Sequence, residues 1–197
     1  MKPLIYDIEI VRAIPNRDGS RIDGIEYCGG WHDHASMGIS VIGAYDYDTD
    51  RYRVFCRDNF MEFVALSCQP DRLMVGFNNI AFDDKVIVLN MPVSTSAPRY
   101  DLLVETWAAV GLGPTFDYKT HGGYGLDALC ELNFGTKKTG NGALAPVAWQ
   151  QGKIGDVIDY CLNDVRLTKQ LFERAIAGEA IKTPKGGSAL TFLRRPE

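Results

Sequence analysis

The chain has 197 residues, 46% of them hydrophobic and 23% charged, with 21 Lys and Arg against 25 Asp and Glu for a formal net charge of −4. That length suits one domain with its own core. The charge balance excludes a polycation that binds nucleic acid by bulk attraction, though not an enzyme whose local charge and bound cations decide the matter.

Residues 3–10, PLIYDIEI, are apolar and β-branched around two acids and predict a buried strand. The stretch 11–36, rich in Gly, Asp, Arg and His, has little periodicity and predicts a long loop, which in a compact domain is often functional. Residues 37–47 and 52–56 predict two strands joined through Asp48, Thr49 and Asp50 as a hairpin. A short helix is expected over 59–68, with Asn59 as N-cap and Glu62 completing a capping box. A strand over 72–77 ends at Asn78 and Asn79, and a helix over 82–90 is stopped by Pro92. A loop over 94–99 leads to Asp101, which caps a helix over 102–110 that Gly111 and Gly113 stop. Residues 113–125 form a Gly-rich loop, 126–133 a short helix ending near Gly135, 135–152 a loop, and 156–177 the longest helix. The tail from Gly178 carries Pro184, Gly186 and Gly187 and either wraps or frays. This order predicts an α/β or α+β domain around one central sheet, spanning 1–178, with a tail over 179–197.

The cysteines Cys28, Cys56, Cys68, Cys130 and Cys161 are odd in number and contain no Cys-x-x-Cys pair, so a reducing, cytoplasmic compartment is expected. The opening MKPLIYDIEI does not read as a secretory leader, and no apolar run reaches the ~18 residues of a membrane span.

Carboxylates stand where the core should be. Asp7 and Glu9 lie two apart on the first strand and so share a face. Like charges that close repel, and burial adds a desolvation cost, so a cation is the usual compensation. Hard oxygen donors suit Mg²⁺ or Mn²⁺. On the last helix Asp164 falls beside the stripe Val157, Cys161, Val165, Thr168 and Phe172, and Tyr160 lies one turn before it. Another acid, Asp83, follows a strand end in Gly76-Phe77-Asn78-Asn79-Ile80-Ala81-Phe82-Asp83, where open α/β sheets place ligands. Each short motif alone is expected about once by chance; their order and setting carry the information.

That order resembles the DEDD 3′→5′ exonucleases of the RNase H-like fold, in their tyrosine branch. The motifs are YDIE (Asp7, Glu9), GFNNIAFD (Asp83) and DYCLNDVRLTKQLF (Tyr160, Asp164), and GYGLDALCELNFGTKK is similar to the segment before the last motif in family B polymerase proofreading domains. The histidine branch would have His five residues before the last Asp, where this chain has Asp159. Ile10 stands where Thr often follows the first motif, Asp83 rather than Asp84 is assigned because it directly follows Phe82, and 11–36 has no counterpart in that family.

The resemblance implies a central mixed sheet flanked by helices and a two-metal phosphodiester hydrolysis at single-stranded DNA or RNA 3′ ends. Asp7, Glu9, Asp83 and Asp164 would hold two Mg²⁺ or Mn²⁺, and Tyr160 would orient the attacking water. Asn78 would hydrogen-bond the strand and Phe82 pack beside the terminal base. A separate polymerase or a replication or repair complex is an expected partner. The alternatives are a non-catalytic nucleic-acid-binding or polymerase-accessory module, or a structure-specific endonuclease of the same fold. Lys119, Lys137 and Lys138 are candidates to meet phosphates, and Tyr124 and Trp149 to stack bases.

Other constellations are discounted. Cys28, His32 and His34 lack a fourth zinc ligand. Asp46, Asp48 and Asp50 open like a calcium loop, but Arg51 takes the required glycine position and Arg57 the bidentate glutamate position. The run from Gly135 lacks phosphate-loop spacing, and His121 reads as a surface loop residue.

Overall fold

Strand β1 (Lys2–Ile10) is the middle of a five-stranded sheet. In the computed structural model, which describes residues 1–91, 96–136, 142–184, 190–191 and 193–196, it pairs antiparallel with β2 (Ile39–Asp46), setting Asp7 opposite Gly43 and Glu9 opposite Val41. β3 (Arg51–Phe55) continues the hairpin. On the other side lie β4 (Arg72–Gly76) and β5 (Arg99–Asp101), both parallel, giving the order β3-β2-β1-β4-β5. β4 pairs with β1 only over Lys2–Ile5, so the second half of β1 runs past it.

Alternation along β1 separates two cores. Leu4, Tyr6, Ile8 and Ile10 face a cluster with Phe55, Phe63, Met74 and Val86. It is covered by helix α1 (His34–Met37), α2 (Phe60–Ser67) and α3 (Asp83–Asn90). Ile5 faces a second cluster with Val75, Tyr100, Leu171 and Phe172. That side carries α4 (Leu102–Ala109), α5 (Leu126–Phe134), α6 (Ala145–Gln150) and α7 (Ile154–Ala177). Each large apolar side chain buried in these layers contributes about 1.5–3 kcal/mol. Asp7 and Glu9 share the parity of Ile5 and so point toward α7. The mixed sheet flanked by helices is the architecture expected from the sequence.

Helix α7 settles on the sheet because residue 43 has no side chain. A Cβ there would stand 2.9 Å from Cys161 Sγ and 3.2 Å from Val165 Cγ2. At the far end of β2 the buried Arg72 guanidinium donates to Asp46 Oδ1 at 2.9 Å and to the Leu66 carbonyl at 3.0 Å. Asp46 is thus committed to the sheet rather than to a cation loop.

Several local expectations change. Asn59 precedes α2 but does not cap it; its Oδ1 accepts the Cys56 amide at 2.7 Å instead. The loop expected over 94–99 runs into strand β5, too short at three residues to show alternation. The loop expected over 135–152 contains α6, opened by Pro146 in its first turn. Pro92 lies outside the described residues. The tail wraps: β6 (Ile181–Lys182) pairs with β7 (Leu190–Thr191), and Ile181 and Leu193 join the second core. Among the described residues no helix is long and apolar enough to cross a membrane.

Candidate active site

The half-buried Asp7 and buried Glu9 face the first turns of α7. One oxygen of each and the Cys161 sulfur all lie within 4.8 Å of one another, the one such group of potential metal donors among the described residues. Cys161 Sγ donates to the Asp7 carbonyl at 3.4 Å and lies 3.7 Å from Asp7 Oδ2. Burial, then the charges of Asp7, Glu9 and Asp164, push its thiol well above the usual value, so it stays protonated. Asp164 is buried one turn further along α7.

Asp83 arrives from the opposite side of β1. Its Oδ1 accepts the Ile8 amide at 3.1 Å, between Asp7 and Glu9 in the chain and beyond the reach of β4. Burial raises its carboxyl to about 7, with that amide pulling the other way and Asp84 and Asp101 adding to the rise. Asp84 is engaged elsewhere. It accepts from Tyr6 Oη at 2.6 Å and from Arg99 Nε at 2.9 Å, while Asn79 Nδ2 donates to Tyr6 Oη at 3.1 Å. Asp83 thus meets the backbone of β1, while Asp84 meets the Tyr6 side chain of the same strand.

Asp101 holds the turn that delivers Asp83. Its carboxylate caps α4 through the Leu103 and Val104 amides and also accepts Asn78 N at 2.9 Å and Ile80 N at 3.1 Å. Asn78 has φ of +66°, a left-handed conformation that Asn tolerates better than most residues. Gly76 lets the turn close, because a Cβ there would stand 2.6 Å from Asn79 Cβ. Sequence reading identified Asp101 as a helix cap but missed this second task.

The expected site residues divide. Asp7 and Glu9 are close together; Asp83 bonds the β1 backbone between them and Asp164 is buried on α7 three residues past Cys161, both outside the 4.8 Å group. Tyr160 is buried with Val41, Ala145, Val157 and Cys161, its hydroxyl lying against Gly142. Phe82 is half-buried beside Trp31 and His34. Tyr124 is buried with Leu103 and Trp107, leaving little ring surface for a base. Trp149 packs against the Tyr160 cluster, and Lys119 is exposed. Lys137 and Lys138 lie outside the described residues. His121 is buried rather than a surface residue, its Nε2 within 2.9 Å of the Gly113 carbonyl oxygen and its ring edge-on to Trp107. Cys28 packs in the first core and does not meet His32 and His34 as a metal group. Cys161, read from the sequence only as part of an apolar stripe, lies against Asp7; the signal for that contact was Gly43, a glycine in the strand opposite.

No family model and no curated protein matches this chain. Among solved structures it is similar to E. coli Exonuclease I in complex with a 5cy-dA13 oligonucleotide, at 16% identity and a TM-score of 0.49 over 89% of this chain and 40% of that one. It is likewise similar to the same protein with a 5cy-dT13 oligonucleotide, at 15% identity and 0.48 over 87% and 40%. A third is Escherichia coli RNase D, an exoribonuclease involved in structured RNA processing, at 10% identity and 0.45 over 89% and 41%. The chain spans less than half the length of these structures.

Proposed function

We propose that this chain is a metal-dependent 3′→5′ exonuclease acting on single-stranded DNA or RNA ends, with Asp7, Glu9, Asp83 and Asp164 as its metal ligands. The observation that supports this most is convergence on the second half of β1. Asp7 and Glu9 share its face, Asp83 binds its Ile8 amide, and α7 brings Cys161 against Asp7, with Asp164 buried one turn further along that helix.

The donor set fits a hard cation. Asp7 and Glu9 offer oxygens at a spacing one ion can bridge, and the protonated thiol beside them adds no competing negative charge. Two Mg²⁺ or Mn²⁺ would supply neutralisation of phosphate charge and an acidified water. The chain's own residues do the rest. Asp83 must give up its proton before it can act as a ligand, which its raised carboxyl makes a step near neutral pH. Tyr160 orients the attacking water through its hydroxyl, and Asn78 and Phe82 hold the end of the strand.

The test is cleavage of 5′-labelled single-stranded DNA and RNA of one sequence with Mg²⁺, Mn²⁺ or EDTA, beside Asp7→Ala. A metal-dependent ladder shortening from the 3′ end and absent in the variant is expected, and the sugar preference is read from the same gel. Strand binding without cleavage in either metal would favour the non-catalytic module, and fragments of defined length an endonuclease.

A further inference from the structure

The segment 11–36 begins where β1 ends and is tied down on both sides. Ala13 N donates to the Glu26 carbonyl and Cys28 N to the Ala13 carbonyl, each at 3.0 Å. Gln150 of α6 donates to the carbonyls of Val11 at 2.8 Å and Glu26 at 3.0 Å, and accepts the Glu26 amide at 2.7 Å. Asn90 of α3 donates to the His34 carbonyl at 2.9 Å. The insertion is therefore an ordered wall running from α6 to α3 along the end of β1 that carries the acids.

On that wall Trp31 is held in the open. It is 63% exposed, yet its ring is fixed edge-on to Phe82 at 6.3 Å, and Phe82 meets His34 at 5.9 Å. Phe82 directly precedes Asp83. A tryptophan that served only to anchor the loop would bury its indole, since that burial is its contribution to stability. Exposed Lys85 lies close enough to His34 to weaken its proton affinity, so one cation stands near the aromatic surface, with exposed His32 next to Trp31 in the chain. Aromatic faces with cations beside them are what an unpaired base and its phosphate require.

We propose that Trp31, supported by Phe82 and His34, is a stacking site for an unpaired nucleobase near the 3′ end of the strand, with His32 and Lys85 toward its phosphates. The proposal rests on the nuclease reading for its choice of ligand, but it concerns binding and is tested without cleavage.

The experiment compares wild type, Trp31→Ala and Trp31→Phe for binding of a labelled oligodeoxythymidine in EDTA, and in Mg²⁺ with each in an Asp7→Ala background. Anisotropy reads affinity, and quenching of intrinsic fluorescence reads stacking on Trp31, because Trp107 is buried and Trp149 half-buried. We expect saturable quenching that Trp31→Ala abolishes, with affinity about tenfold weaker for Trp31→Ala and near wild type for Trp31→Phe. An oligonucleotide abasic at its 3′-terminal positions should weaken wild type by a similar factor and leave Trp31→Ala unaffected. Equal affinity of wild type and Trp31→Ala, equal losses on the abasic strand, or no binding by wild type would each overturn the stacking site. Wild-type cleavage alongside any of these leaves the nuclease reading standing. Quenching by the strand with no cleavage in either metal sinks the nuclease reading and keeps the stacking site.

Discussion

Asp83 Oδ1 takes the Ile8 amide at 3.1 Å, in the place a neighbouring strand would otherwise occupy. β4 stops pairing after Ile5, so the carboxylate satisfies an amide of β1 that lies, in the chain, between the two acids of the first motif. A side chain that we propose as a metal ligand is also part of the sheet.

That double role makes stability depend on pH. The Asp83 carboxyl lies near 7 when folded, against ~3.9 for an unperturbed Asp. A group whose folded pKa is raised stabilises below its unfolded pKa, and that contribution is lost as pH rises through the folded value. Melting of the metal-free protein should therefore show its Asp83-dependent stability falling between about pH 4 and pH 7, and flat above. In Asp83→Asn this component of the pH dependence should vanish. Affinity for Mg²⁺ or Mn²⁺ should run the opposite way in wild type, rising over the same range, because metal and proton compete for the carboxylate.

Asp101 offers a test of how the second motif is positioned. Its Oδ1 accepts Asn78, Leu103 and Val104, and its Oδ2 accepts Ile80. Asp101→Asn keeps one acceptor and should cost about 1–2 kcal/mol, whereas Asp101→Ala strands several buried amides and should cost about 3 kcal/mol or more in urea unfolding. Hydrogen exchange at Asn78 and Ile80 should quicken in both variants and most in Asp101→Ala.

The contact between β2 and α7 can be probed at Gly43. Gly43→Ala drives a methyl to within 2.9 Å of Cys161 Sγ, and the overpacking should cost about 1–3 kcal/mol. Cys161→Ala in the same chain should recover part of that loss, with Val165 accounting for the remainder. A double-mutant cycle by chemical denaturation measures the coupling, and strict additivity would show that the helix does not bear on the strand there.

Thiol labelling checks burial directly. Cys68 is exposed, Cys56 is half-buried with its thiol raised by burial and Asp58, and Cys28, Cys130 and Cys161 are buried. In the native protein a disulfide reagent at pH 8 should modify Cys68 quickly, Cys56 slowly and the other three only on unfolding. Rapid loss of a peptide containing Cys161 under native conditions would show that the acidic pocket is open to solvent.

The proposed chemistry predicts a graded response in cleavage assays. Asp7→Ala and Asp164→Ala should lose activity by orders of magnitude with their melting transitions retained. Tyr160→Phe keeps the buried ring and removes only the hydroxyl, so a loss of about ten- to a hundredfold is expected. An unchanged rate in Tyr160→Phe would remove that hydroxyl from the reaction.

Sequence showed most of the strands because apolar runs between turn residues mark them, and because acids interrupt an apolar β1. It showed α7 because 24 residues repeat one stripe. β5 and α6 escaped because three and six residues are too few to display a period. That Asp7 and Glu9 share a face was legible from their spacing, since parity on a strand decides it. Cys161 was not, because a cysteine on an apolar stripe looks like core, and only the pairing of Asp7 with Gly43 shows what lies above it. Nor was Trp31, whose position depends on contacts with α3 and α6 from distant parts of the chain.

The acids on the first strand and the helix that covers them are separated by 154 residues where Cys161 meets Asp7. A ribosome adding about 5–20 residues per second needs roughly 8–30 s to cross that interval. Through all of it, β1 exists without α7. The contact between Asp7 and Cys161 therefore forms only after the last long helix has emerged and docked. Premature termination anywhere before α7 would leave Gly43 without the helix that packs on it and the second core without Leu171 and Phe172.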